Sequence, residues 1–339
     1  SPSAGDYSIY QKGFLLGLQK DYKGKISAMD RLISEYPESQ YVDDALFEKG
    51  RSYVLLENSS SAAQAFEKLI REFPQSSLAR KAGIQLGLLY YNDNQPEKAL
   101  AAYKQVISNY PGSEEAKIAL QDLKSVYIDL NDINAYASYV NSIGGNIRLE
   151  VGEQDSLTYI AAEKLFMRGD NDGARRSLIN YLQTFPEGAF SSNANFYLGS
   201  IAFAKKELDE AIQRFKSVIA SGDTKFLEES VARTAEIEYL SKDYPAALES
   251  FKRLQIVAEN PENRQAARLG IMRCALQTGQ QKDALLAADE LLKEPKLSPE
   301  LEAEARYVRA KAYIAQKQAN KALADLKELS KDTRTVHGA

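Results

Sequence analysis

The side chains that most often do chemistry are scarce in this sequence. Its one histidine, His337, lies in the closing stretch TVHGA, within a polar tail expected over 331–339. Its one cysteine, Cys274, follows GIMR on an expected helix and has no base or metal partner nearby in sequence. A lone thiol of this kind packs more often than it reacts. One cysteine permits no internal disulfide, which leaves the redox compartment open. The acid pairs Asp43-Asp44, Glu114-Glu115 and Glu228-Glu229 fall at expected helix starts, where the helix dipole favours negative charge. They lack the clustered, spaced ligands of a metal site. GDNDG at 169–173 has turn residues, but neither the Gly-Lys-Ser/Thr of a phosphate loop nor an EF-hand's spaced ligands and final glutamate. The expectation is a protein that is not an enzyme and holds no cofactor and no metal.

Charge and hydropathy narrow the partners. The net charge of -4, with both signs interspersed, supplies no concentration of Lys and Arg for a phosphate backbone, so no nucleic-acid partner is expected. No apolar run approaches the ~20 residues that span a bilayer, so no transmembrane segment is expected. The opening SPSAGDYSIY lacks the basic and apolar regions of a secretory signal. A trimmed terminus, with a signal or lipid anchor already lost, stays open.

What remains is regular punctuation. Near-identical phrases recur as ISEYPESQ, IREFPQSS, ISNYPGSE and LQTFPEGA, and Pro37, Pro74 and Pro111 are equally spaced. Fixed spacing on this scale is the signature of a repeat array. Within one period, Ala82, Leu86, Leu89 and Tyr90 recur at helical spacing, then NDNQP breaks the pattern. Pro96 suits a first helical turn, and Ala99, Leu100, Tyr103, Val106 and Ile107 form the next stripe. Each period is therefore two amphipathic helices. Nine are expected, over about 6–38, 41–75, 79–112, 114–143, 156–187, 191–221, 226–258, 263–293 and 299–330. The fourth lacks the small residue of its second helix. GGNIRLEVGEQDS at 144–156 separates two sub-arrays, 1–143 and 157–330, with Asp155 or Ser156 as the cap of the following helix and a short strand piece in NIRLEV. An inserted loop and a hinge both stay open for this stretch.

Leu86-Gly87, Tyr90, Ala99, Tyr103 and Pro111, echoed by Gly50, Tyr53, Ala62, Phe66 and Pro74 and by Leu198-Gly199, Ala211 and Phe215, resemble the tetratricopeptide repeat. The resemblance implies an all-α solenoid, a right-handed superhelix of helix-turn-helix units whose first helices line a concave face. The chain has no Trp, so that family slot is never filled by its usual residue. The YPxS and FPxS endings with AxxAF second helices resemble bacterial cell-envelope members of the family. That implies a periplasmic or outer-membrane-associated protein in a membrane-associated assembly.

Large residues seven apart share one face of several first helices. Tyr159 with Phe166, Phe196 with Phe203, Ile84 with Tyr91, and Tyr307 with Ile314 show this spacing, and Phe47 and Tyr239 hold equivalent places. With Arg51, all of these except Ile314 are the expected partner-binding residues of the concave face, since aromatic anchors in a groove suit a protein or peptide. The alternative is that they only pack against neighbouring first helices. The polar residues expected there, Arg51, Lys81, Asn92, Glu163, Arg273 and Lys311, do not form the Lys and Asn set by which some family grooves grip a C-terminal carboxylate. A protein-binding scaffold is the leading expectation. A repeat segment of a longer protein with its own output domain, and a glycan-binding module, are the others.

Overall fold

A computed structural model describes residues 4–145, 147–222 and 225–331. The chain falls into two compact units, Ser1–Glu150 and Val151–Ala339. In the first, helices run α1 Ala4–Leu18, α2 Tyr22–Glu35, α3 Val42–Leu55, α4 Ser59–Glu72, α5 Ser77–Asn92, α6 Pro96–Asn109, α7 Glu114–Asp129 and α8 Ile133–Ile143. In the second they run α9 Val151–Met167, α10 Asn171–Thr184, α11 Ser191–Ala204, α12 Leu208–Ala220, α13 Leu227–Leu240, α14 Tyr244–Val257, α15 Pro261–Gln277, α16 Gln281–Leu292, α17 Pro299–Ala315 and α18 Ala319–Leu329. Within each unit, consecutive helices pack on one another as an all-α solenoid, and no strand occurs among the described residues.

Each helix pair turns in the same way. A residue in the left-handed region ends the first helix: Lys20, Glu57, Asn94, Asn131, Gly169, Lys206, Lys242, Gly279 and Lys317, with φ between 55° and 83°. The next residue's N–H returns to a carbonyl five residues earlier, as from Asp21 to Leu16 and from Asn58 to Tyr53, both at 2.9 Å. This bond satisfies an otherwise orphaned helix-end carbonyl. In five turns that same residue caps the second helix: Asp21, Asn58, Asp132, Asp170 and Asp243 accept a backbone N–H three residues on. One tripeptide thus stops one helix and starts the next.

Small residues set the separation within a pair. A Cβ at Gly50 would lie 2.5 Å from the Phe66 ring, so only glycine admits the ring there. The second-helix alanines Ala62, Ala99, Ala211, Ala247 and Ala284 are fully buried, as the sequence pattern requires. In α2 their place is taken by Lys25, which is buried and paired with Glu48, and in α8 by Tyr136.

Successive pairs are latched at the recurring proline phrase. Ser39 donates to Asp6 and Ser76 to Asp43, each at 2.7 Å, linking a loop to the start of the first helix in the pair before it. Ser76 also caps α5, accepting the Leu78 N–H at 3.1 Å. In the second unit Asp155 takes this role, accepting Ala189 N–H at 2.8 Å and the Tyr181 hydroxyl at 2.5 Å.

The segment between the fourth and fifth pairs is shorter than the sequence suggested. Helix α9 begins at Val151, so the expected loop over 144–156 loses its last six residues to helix. Asp155 and Ser156 are therefore not caps; they lie inside α9, and Asp155 is buried by its latch. Residues 147–150 form no strand. Gly144 and Gly145, both at positive φ, follow directly on the end of α8.

A lysine at positive φ costs about 1–2 kcal/mol that a glycine avoids, partly offset by the glycine's freedom when unfolded. Lys206→Gly is therefore expected to stabilise the protein by about 0.5–1 kcal/mol in urea unfolding. A drop in midpoint would show that the turn does not carry this strain.

Candidate functional site

The first helices of each unit carry the expected site residues, and most are engaged with their neighbours. In the first unit Phe47 is half-buried, its ring 5.9 Å from that of Phe66. Ile84 is half-buried on α5, and the Tyr91 hydroxyl reaches the Asp129 carboxylate. Arg51 is exposed and pairs along its own helix with Glu48 at 3.2 Å.

In the second unit the aromatic residues form a ladder between successive first helices. Tyr159 stacks on Phe190 at 4.5 Å, and Phe196 stacks on Phe226 at 4.2 Å. Phe190 and Phe226 are the residues just before α11 and α13, so each rung joins one first helix to the start of the next. Tyr10 and Tyr41 make the same contact in the first unit, at 5.2 Å. Phe166 packs 4.6 Å from Tyr197, and the Arg233 guanidinium lies 4.9 Å over Phe203. Stacked pairs of this kind are worth about 0.5–1.5 kcal/mol beyond their buried area.

Tyr159 departs from the expectation. It is only 2% exposed, so its ring offers no surface to a partner. Its hydroxyl donates to Glu163 at 2.7 Å and accepts from Asn193 at 3.3 Å, while Tyr197 donates to the same Glu163 oxygen at 3.1 Å. Burial, and then the carboxylate it serves, push the Tyr159 hydroxyl above its usual pKa. This is a structural staple, and packing against neighbours is its role.

The open concavity is elsewhere on the ladder face. A cleft of about 390 Å³ lies between α13 and α15, with α14 beneath. Phe251, Leu254, Leu269 and Tyr239 give it an apolar floor and wall. Tyr239 stands edge-on to Tyr244, 5.7 Å away. Glu229, Arg233, Glu236, Glu262 and Arg273 make the rim. Arg233 is held by Glu229 and Glu236, both at 2.9 Å, and Arg273 is clamped by both oxygens of Glu304 at 2.7 Å. That hydrogen-bonded clamp raises the Arg273 pKa above its usual value. Tyr307, further along on α17, lies under the Lys311 ammonium at 5.4 Å.

The structure thus brings Tyr239 and Arg273 together in one cleft and leaves Phe166 on α9 and Phe196 and Phe203 on α11 half-buried and outside its lining. Sequence reasoning looked for bulk and passed over Ala232, Asn263, Ala266 and Gly270, the small residues that open the cleft. Aligning the pairs on their left-handed turn residues finds them, because Ala232 then falls in the column of Tyr159 and Phe196.

Cys274 is buried, and burial pushes its thiol up to about 11, away from the reactive thiolate. Among the described residues no group of three or more His, Cys, Asp or Glu side chains could hold a metal ion. No helix there is long and apolar enough to cross a membrane.

Helix pairs in phase, joined by one repeated turn and latched in series, define a helical-repeat protein. Residues 7–39 and 161–224 match tetratricopeptide-repeat family models, and residues 43–121 match the model of YfiO, an outer membrane lipoprotein. Tetratricopeptide repeats are therefore present in both units of the chain. Among solved structures, a tetratricopeptide repeat protein from Parabacteroides merdae is 14% identical, the match covering 79% of this chain and 100% of that one, with a TM-score of 0.38. The TPR2AB domain of yeast Sti1 in its pHSP90 complex is 11% identical over 84% of this chain and 97% of that one, with a TM-score of 0.39. Naa15/Naa10 bound to HypK-THB is 15% identical over 97% of this chain and 50% of that one, with a TM-score of 0.41. No curated protein matches the chain in sequence.

Truncating a staple and truncating a surface residue should differ sharply. Tyr159→Ala removes a buried ring and its hydrogen bonds with Glu163 and Asn193, and is expected to destabilise by about 3–5 kcal/mol. Arg51→Ala should stay within about 0.5 kcal/mol of the parent. Thermal unfolding of both variants measures this, and similar losses would mean that Tyr159 does not staple α9 to α11.

Proposed function

We propose that the chain is a non-catalytic scaffold that binds a protein or peptide partner on its first-helix face. The observation that carries this reading is the open cleft between α13 and α15. There, next to two successive ring-on-ring stacks of the second unit, an apolar floor is accessible beneath a charged rim. Apolar pockets with a polar border are what hot-spot side chains of a partner fill. In the second unit Phe166, Phe196, Phe203, Tyr239 and Tyr307 add half-buried aromatic surface on the first helices, and in the first unit, taken by itself, half-buried Phe47, Ile84 and Tyr91 and exposed Arg51 are the corresponding candidates.

Site-specific photocrosslinking in the native cells tests the face. A photoreactive side chain replaces Glu236 or Lys81 on first helices, or Gln64 or Gln213 on exposed second-helix surfaces. Discrete protein adducts are expected from the first two positions only. Equal adducts from all four, or adducts only from the second helices, would overturn the reading.

The match of residues 43–121 to an outer membrane lipoprotein family supports a place at a bacterial cell envelope, in the periplasm or associated with the outer membrane. Cell fractionation should then recover the protein in those fractions. Recovery in the cytosol would remove the location and leave the scaffold reading standing.

A further inference from the structure

The cleft is a missing rung. The turn residues Gly169, Lys206, Lys242 and Gly279 fix the register of the pairs. In that register Tyr159, Phe196 and Ala232 are equivalent, as are Phe190, Phe226 and Asn263. Tyr159 stacks on Phe190 and Phe196 on Phe226. The next pairing in the series is Ala232 with Asn263, and both line the cleft. Where two rings close the face between the earlier first helices, a methyl group and a short amide leave it open. Gly270 lets the Phe251 ring, part of the cleft's apolar floor, lie against the α15 backbone.

The rim has a definite electrostatic character. Glu229, Glu236 and Glu262 line it, and Glu304 closes on Arg273 from α17. Four carboxylates therefore face two guanidiniums. Both guanidiniums are already committed to glutamates, and Arg233 also covers Phe203. Glu262 forms no ion pair among the described residues; Arg264, Arg268 and Lys296 line the surface on its other side, with Arg268 held by Glu294. The surplus is negative, and it surrounds an apolar floor.

Resting on the scaffold reading above, we propose that this cleft receives an aromatic side chain of a partner peptide that carries lysine or arginine beside it. The ring supplies the absent rung, lying between α13 and α15 over Leu254, Leu269 and Phe251. The flanking cation meets Glu262 and the outer oxygens of Glu229 and Glu236. Rings bury a large apolar area at low conformational cost, and a complementary charge outside the pocket speeds encounter and fixes register. An acidic or wholly aliphatic segment satisfies neither feature.

Selection from a random displayed-peptide library against the full chain, with counter-selection against an Ala232→Phe variant, tests the proposal. The variant refills the rung from within, so its thermal midpoint should equal or exceed the parent's. Selected peptides are expected to share an aromatic residue next to Lys or Arg, and to bind Ala232→Phe at least about tenfold more weakly, as for loss of a central anchor. Glu262→Lys, at an exposed first-turn position of α15 that makes no ion pair among the described residues, should weaken the same peptides by about three- to tenfold at low salt and less at high salt, with thermal unfolding showing that the variant stays folded. The proposal fails if no peptide survives counter-selection, if the survivors are acidic or lack aromatic residues, or if they bind Ala232→Phe as tightly as the parent. It fails equally if Glu262→Lys leaves binding unchanged. Any of these results, alongside photocrosslinks from other first-helix positions, would overturn the cleft's specificity and leave the scaffold reading intact.

Discussion

Everything in this protein depends on how closely two helices of a pair can approach. At Gly50 the Phe66 ring occupies the volume a side chain would fill, and the alanines of the second helices keep the return contact equally short. Dispersion falls off steeply with separation, so a gap of even part of an ångström would forfeit much of this contact. The left-handed turn holds the two helices at that distance. It does so even where lysine or glutamate must adopt a backbone conformation they disfavour. Local strain at the turn is accepted because the packing it permits is repeated along the whole chain.

Much of this was legible in the sequence, because the period is carried by residues whose physics is local. Gly50, Ala62, Phe66 and Pro74 each have one role, and the same role returns one repeat later. The start of α9 was not legible in the same way. Asp155 looks like a cap because it is an acid beside a serine near a helix start. Its actual partners, Tyr181 and Ala189, lie 26 and 34 residues away. Only the fold brings them near, and no local pattern announces it. Lys25 hides similarly: a lysine in an alanine slot is explained only once Glu48 is seen opposite it.

The aromatic face shows where a pattern of residue types misleads. Residues seven apart on first helices do share a face, but a shared face can be consumed by the neighbouring pair. The Tyr159 and Phe196 rings are spent on Phe190 and Phe226, and the accessible feature appears where the series lapses. In a repeat protein the informative position is the one that breaks its column, because the scaffold has already accounted for every position that keeps it. Bulk marks structure here, and its absence marks opportunity.

The serine latches carry a consequence of another kind. Ser39 reaches back to Asp6 and Ser76 to Asp43, each across 33 residues, and neither bond extends past the adjoining pair. Stability in such an array is a sum of short-range terms. A whole period could be copied or removed, and every remaining serine would still find an acid at the same distance. The length of the array is therefore free to change over evolutionary time by entire repeats without any existing contact being redesigned, and even a one-residue change is absorbed locally, since Lys206 and Lys242 stand 36 residues apart and Gly279 and Lys317 stand 38 apart while every turn keeps its left-handed residue.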